Sequence, residues 1–425
     1  MRQILPDGLV LRSVAPDENL DALADFNTQV HSGGEEPRLG GIVYDLCSPD
    51  HPTTGRENYW LIEDEDGSIL SSLVLIPQTW RYEGIPFLVG RMEMVGTAAS
   101  HRRRGLYNRL NEVFNARCRD LGCLAQVITG VPYFYRRSGY SYALELNGGP
   151  QIAVTNVPDT PTDTGFSLRA ATLDDIPALH TLYDDLCIHY AITQVRDEAE
   201  WQYRVAGRSD DNIGARWYYI IQRGGDILGY VGMSRDCPTD VWLLEEISLR
   251  ASYTDVVPWL VPALRDEGMR FTADQITMVY FSHGTCHPLN PYLEPYRPSE
   301  RRPYAWYIRV EDMLAFLQHI TPALEARLAN SPSAGLSRAI TLQLYTQAFT
   351  LTFDAGQLVT ISPMRLDFED GDIRFPPDLF PVALFGHRSL AELTHLHPDV
   401  FAKRSMLPLA DILFPKRPGW ATPLD

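Results

Sequence analysis

The order of elements restarts partway along this chain, and no other feature narrows its fold as much. From Gly8, GLVLRSVAPDENLDALADFNTQVH reads as a strand, a turn at Pro16 and Asp17, and an amphipathic helix with apolar residues at every third or fourth position. NYWLIEDEDGSILSSLVLIPQTWRYEGIPFLVGRMEMVGT then reads as consecutive strands broken by EDG and YEG turns. After a polar, proline-bearing linker, VTNVPDTPTDTG (154–165), FSLRAATLDDIPALHTLYDDL repeats strand, acidic turn and helix. WYYIIQRGGDILGYVGM repeats a strand pair around Gly-Gly-Asp. Duplication of one unit at a period of about 155 residues is the economical explanation. A third block starts near YAWYIRVEDMLAFLQHI (304–320), where AITLQLYTQAFTLTFDAGQLVTISP alternates like antiparallel strands between helical stretches. The 425 residues leave room for about three domains of roughly 150 residues. We therefore expect an α/β (α+β) fold with two mixed-sheet modules, 1–155 and 160–303, and an α+β module, 304–425.

Hydrophobic residues make up 45% and charged residues 21%, which excludes a disordered or fibrous chain. No stretch approaches the roughly 20 apolar residues of a membrane span, and MRQILPDGLVLRS lacks the apolar core of a signal peptide. A cytoplasmic protein without a membrane partner is the expectation. The net charge of −17 argues against nucleic acid, whose phosphates want a basic face. It suits cationic small molecules, and it equally serves solubility. Cys47, Cys118, Cys123, Cys187, Cys237 and Cys286 form no C-x-x-C pair and read as reduced structural thiols. SHGTCHP brings His283, Cys286 and His287 together, but with no second ligand pair it reads as a polar loop, and no metal is expected.

Against this acidic background stands VGTAASHRRRGLYNRL (95–110). A buried-looking strand, MEMVGT, ends in a basic loop. After Gly105, the residues Leu106, Leu110, Val113, Phe114, Cys118 and Leu121 fall at helical spacing until Gly122. The first amides of a helix lack intrahelical partners and its macrodipole is positive there. Strand, basic loop and helix start thus make an anion site. Arg102, Arg103 and Arg104 would add charge-assisted hydrogen bonds, so a pyrophosphate is the natural guest.

A further strand, LAQVI, and then GVPYFYRRSGYSYALEL complete an order that resembles the GNAT acetyltransferase superfamily, whose signature is Q/R-x-x-G-x-G/A. Arg102-x-x-Gly105-x-Tyr107 matches its first two anchors and departs at Tyr107. With ASHRRRGLY, the departure makes the chain look like the enhanced intracellular survival (Eis) acetyltransferases. Those carry an active GNAT domain, a degenerate GNAT domain and a sterol-carrier-like C-terminal domain, an order that matches the three blocks.

The resemblance implies acetyl-CoA as co-substrate. Val95, Gly96 and Thr97 would pair with its pantetheine arm; Arg102, Arg103, Arg104, Gly105, Leu106, Tyr107 and Asn108 would cradle its pyrophosphate; Thr129 and Gly130 would line it further. Tyr135 in FYRRSGYSY (134–142) would return a proton to the departing thiolate, which a phenol held within hydrogen-bond reach can do. The C-terminal carboxylate, here of Asp425, would deprotonate the acceptor amine, although relatives end in phenylalanine. Glu93, working through water, is the alternative base. The second block reads WLLEEISLRASYTDVVPWLV where the phosphate loop should be, with no glycine after the basic residue, and so implies a structural module. Aminoglycoside-like, polyamine-like or lysine amines are the implied acceptors, and a homo-oligomer, a hexamer or another assembly, is the implied state. Two rivals remain: a CoA-thioester-binding module without turnover, and a lipid carrier acting through the third block.

Overall fold

Strand-forming runs pair into three sheets in the computed structural model, which describes residues 1–423 apart from 239, 273, 274, 366, 368 and 369. β1 (Arg2–Ile4), β2 (Val10–Ser13), β3 (Tyr59–Glu63), β4 (Ile69–Tyr82) and β5 (Ile85–Thr97) run antiparallel in sequence order. Helices α1 (Asp21–Ser32) and α2 (Leu39–Leu46) leave the sheet between β2 and β3 and cover one face with Leu23, Ile42, Val43 and Leu46. After β5, α3 (Leu106–Leu121) crosses the other face, burying Leu106, Leu110, Phe114 and Cys118. It delivers the chain to β6 (Ala125–Ile128), which lies parallel to β5 as a helical crossover allows.

The modules then exchange strands. β7 (Ser141–Leu146) belongs to the first sheet, but β8 (Gly149–Ala153) pairs with strands of the second. That sheet is built from β9 (Phe166–Ala170), β11 (Arg216–Arg223), β12 (Asp226–Ser234), β13 (Val241–Leu249), β14 (Met278–Phe281) and β15 (Ser299–Arg301), with β8 between β14 and β15. Helix α4 (Ile176–Cys187) leads to β10 (Ile192–Gln194), which pairs with the far end of β4. In return β16 (Tyr304–Arg309) lies between β6 and β7 of the first sheet. Strands thus cross the expected boundaries at 155 and 304. The crossover turn at Asn147, Gly148 and Gly149 is left-handed throughout. A Cβ on Gly148 would meet the Pro303 Cα at 2.7 Å, so only glycine lets the exchanged segments pass.

The third sheet centres on Arg338–Gln343, Ala348–Asp354 and Gln357–Met364, all antiparallel. Its apolar face merges into one core with the far end of the first sheet, joining Phe349, Leu351 and Phe353 to Trp80, Phe87 and Trp306. No described helix is long and apolar enough to cross a membrane.

Candidate active site

β5 and β6 stay paired only through Arg91 and Val127, while β5 runs on to Thr97. A bulge against β4, where Ser72 faces Gly96 but Val74 faces Glu93, puts one extra residue into β5 and forces Met94 to a φ of 49°. The strands splay beyond it. The opening is a cavity of about 910 Å³.

Val95 and Thr97 line its β5 side. Arg102, Arg103, Gly105, Leu106, Tyr107 and Asn108 line the helix side, and Gly130 the β6 side. Gly105 precedes α3 at a φ of 79°, and a Cβ there would meet no protein atom within 4 Å. Its backbone conformation demands glycine, and the space above it is open to an incoming oxyanion. No carboxylate sits in the first turn of α3 to neutralise that end.

Gly96, Arg104 and Thr129 do not line the cavity. A Cβ on Gly96 would lie 3.1 Å from Val30 and 3.2 Å from Phe26, so this glycine seats α1 against the strand. Arg104 is exposed outside the opening.

Tyr135 stands on a single 3₁₀ turn, Phe134–Ser138, entered through Tyr133 at a φ of 69° and left through Gly139. Its ring is 4% exposed, with the rings of Phe134, Tyr307, Tyr107 and Tyr140 at 5.0, 5.6, 6.0 and 6.1 Å. Burial holds the phenol well above its ordinary pKa, so it carries its proton at neutral pH. Gly130 makes room for it: a Cβ there would fall 2.0 Å from the Tyr135 ring.

Glu93 borders the same cavity, accepts the Met94 amide at 3.2 Å and is ion-paired with Arg91. The pairing engages the carboxylate as a structural ion. The Arg91 guanidinium lies 5.5 Å from the Trp306 ring centroid.

Several lining residues carried no signal in the sequence. His31, in the last turn of α1, lines the cavity, and burial lowers its pKa. Arg137 lies 4.0 Å from the Phe134 ring centroid. Tyr304 arrives only through the strand exchange and donates to the Gly130 carbonyl at 2.7 Å. Sequence proximity could not have found it.

The second module has the same splay, since β13 and β14 part after Leu244 and Phe281. Here the chain fills the gap with its own loop. His287 Nε2 donates to the Ile247 carbonyl at 2.9 Å, its Nδ1 accepts the Leu289 amide at 3.1 Å, and His283 stacks on it at 3.9 Å. Among the described residues no group of three His, Cys, Asp or Glu side chains is placed to hold a metal.

Asp425 lies outside the described residues. The segment leading to it is well held. Gly419–Trp420 pairs parallel with β10, Trp306 Nε1 donates to the Ala421 carbonyl at 3.0 Å, and Arg196 donates to Thr422 Oγ1 at 2.9 Å. Trp306 and Arg91 link this segment to Glu93.

A family model described as an acetyltransferase (GNAT) domain matches residues 16–143. No curated protein matches the chain. Among solved structures, a GCN5-related N-acetyltransferase from Anabaena variabilis superposes with a TM-score of 0.69 at 17% identity, covering 97% of this chain and 99% of that one. A probable N-acyltransferase from Enterococcus faecalis gives 0.69 at 11% identity, over 98% and 100%. Eis1 from Mycobacterium abscessus gives 0.62 at 14% identity, over 96% and 98%. At these identities the structures speak for the fold, and the family match for the chemistry of the first module.

Proposed function

We propose that this acyltransferase moves the acetyl group of acetyl-CoA onto an amine of a cationic small molecule, aminoglycoside-like or polyamine-like, or onto a lysine side chain. One observation carries the reading: a helix N-terminus open to an oxyanion and a buried, protonated tyrosine face one cavity. The first amides of α3, with Arg102 and Arg103, hold the pyrophosphate. The β5 backbone at Val95 and Thr97, freed from β6 by the splay, offers donors to the pantetheine arm and to the oxyanion that develops on the thioester carbon. The amine attacks that carbon, the C–S bond breaks, and Tyr135 gives its proton to the thiolate sulfur. A base takes the proton released by the amine. The held segment 419–422 supports the C-terminal carboxylate of Asp425 for that task, and Glu93 through water is the second candidate.

We place the chain beside the Eis-type enzymes, with a catalytic module, a plugged second module, a sterol-carrier-like third module and a cytoplasmic homo-oligomer. Full-length superposition on Eis1 supports the arrangement of the three modules. The test is thiol release from acetyl-CoA across spermidine, aminoglycosides and lysine peptides. Turnover on at least one amine is expected. Tight acetyl-CoA binding with no turnover across the panel would favour a binding module.

A further inference from the structure

A second cavity, of about 300 Å³, lies where the three modules meet and shares no lining residue with the first. β7 contributes Leu144 and Glu145, the second module Tyr190 and His283, and the C-terminal segment Trp420. Two of these side chains are buried with an unsatisfied polar atom. Among the described residues, His283, fully buried, has no partner for its Nδ1, and Tyr190, 7% exposed, none for its hydroxyl.

The hydrogen bonds fix what His283 offers. Asn290 Nδ2 donates to the carbonyls of Gly284 and Thr285 at 3.1 and 3.0 Å, so its Oδ1 must accept. His283 Nε2, 2.7 Å from that Oδ1, therefore carries the proton. Burial keeps the ring neutral, with its pKa lowered to about 4. Nδ1 is then a bare acceptor.

Other walls tell the same way. Glu145 accepts Thr285 Oγ1 at 2.7 Å through Oε2, and Oε1 takes no hydrogen bond among the described residues. Tyr190 and Trp420 stack at 5.8 Å and present aromatic faces. The two cations on the wall are spent: Lys416 pairs with Glu392 at 2.7 Å and Arg417 with Glu83. Acceptors, one carboxylate and π-faces remain, and each buried polar atom left unmet costs stability until a ligand satisfies it.

We propose that this cavity is a binding site for a small organic ammonium, which donates to His283 Nδ1, the Tyr190 hydroxyl and Glu145 and packs its carbon chain between Leu144 and Trp420. Its lining side chains are all distinct from those of the acetyl-transfer cavity.

Calorimetric titration of the full-length protein with n-propylammonium, n-propanol and propionate tests it. Because His283 also holds Asn290, Tyr190→Phe is the primary variant and His283→Phe the second. Propylammonium should bind the wild type better than propanol or propionate. Its affinity should fall about five- to tenfold in either variant. Equal affinity in wild type and both variants, a preference for propionate, or a propylammonium-soaked crystal showing only water at Nδ1 would overturn the proposal.

Discussion

At the scale of single residues, the arrangement rests on space left by glycines and on which arginines face the opening. Gly130→Ala drives a methyl into the Tyr135 ring, which must then shift by about an ångström. Such a displacement costs on the order of 10²-fold in kcat. We expect that loss with an unchanged circular dichroism spectrum and an acetyl-CoA KM within about threefold. The basic triplet should divide. Arg103→Ala removes a charge that lines the cavity and should raise the acetyl-CoA KM about tenfold, whereas Arg104→Ala, outside it, should change KM less than about twofold. Steady-state kinetics on the two variants decide this. Sequence reasoning placed all three arginines together because a loop's residue order does not say which side chains turn inward.

At the scale of elements, local pattern and pairing part company. Period-two runs, the α3 helix and its glycine ends were all legible, since each depends on neighbours close in sequence. The exchange of β8 and β16 was not. It depends on a left-handed turn at 147–149 and on the close passage of Gly148 under Pro303, neither of which alters the alternation of apolar residues. The second module's plug was half legible: the missing phosphate loop could be read, but not that His283 and His287 fill the gap. Both imidazoles are held below their ordinary pKa by burial, so the unfolded chain binds their protons first. Stability should therefore rise with pH across the window from about 4 to 6.5 and fall as pH drops through it. For His283 the shift from 6.5 to about 4 is worth on the order of 3 kcal/mol. Urea midpoints measured across this window should fall on acidification; a flat profile would remove both histidines from the account.

For the whole molecule, the segments read from the sequence as three blocks exchange strands and share a core. The first sheet needs β16 between β6 and β7, and the third module shares its core with Trp80 and Phe87. A fragment ending at residue 155 therefore lacks an internal strand and exposes part of a core. It should be unfolded or aggregated by circular dichroism and size-exclusion chromatography, while the full chain is folded; a stable, cooperative fragment would contradict the exchange. The same integration places Tyr304 against Gly130 and holds the C-terminal segment beside Trp306, so the cavity is assembled from distant parts of the chain. The central claim is that Tyr135 supplies the proton to the leaving thiolate, and it is tested most directly by comparing Tyr135→Phe with wild type in thiol release and in acetyl-CoA binding. The account predicts a kcat loss of about 10²- to 10⁴-fold with the dissociation constant for acetyl-CoA within about threefold. Undiminished kcat in the variant, with the cofactor still bound, would contradict it.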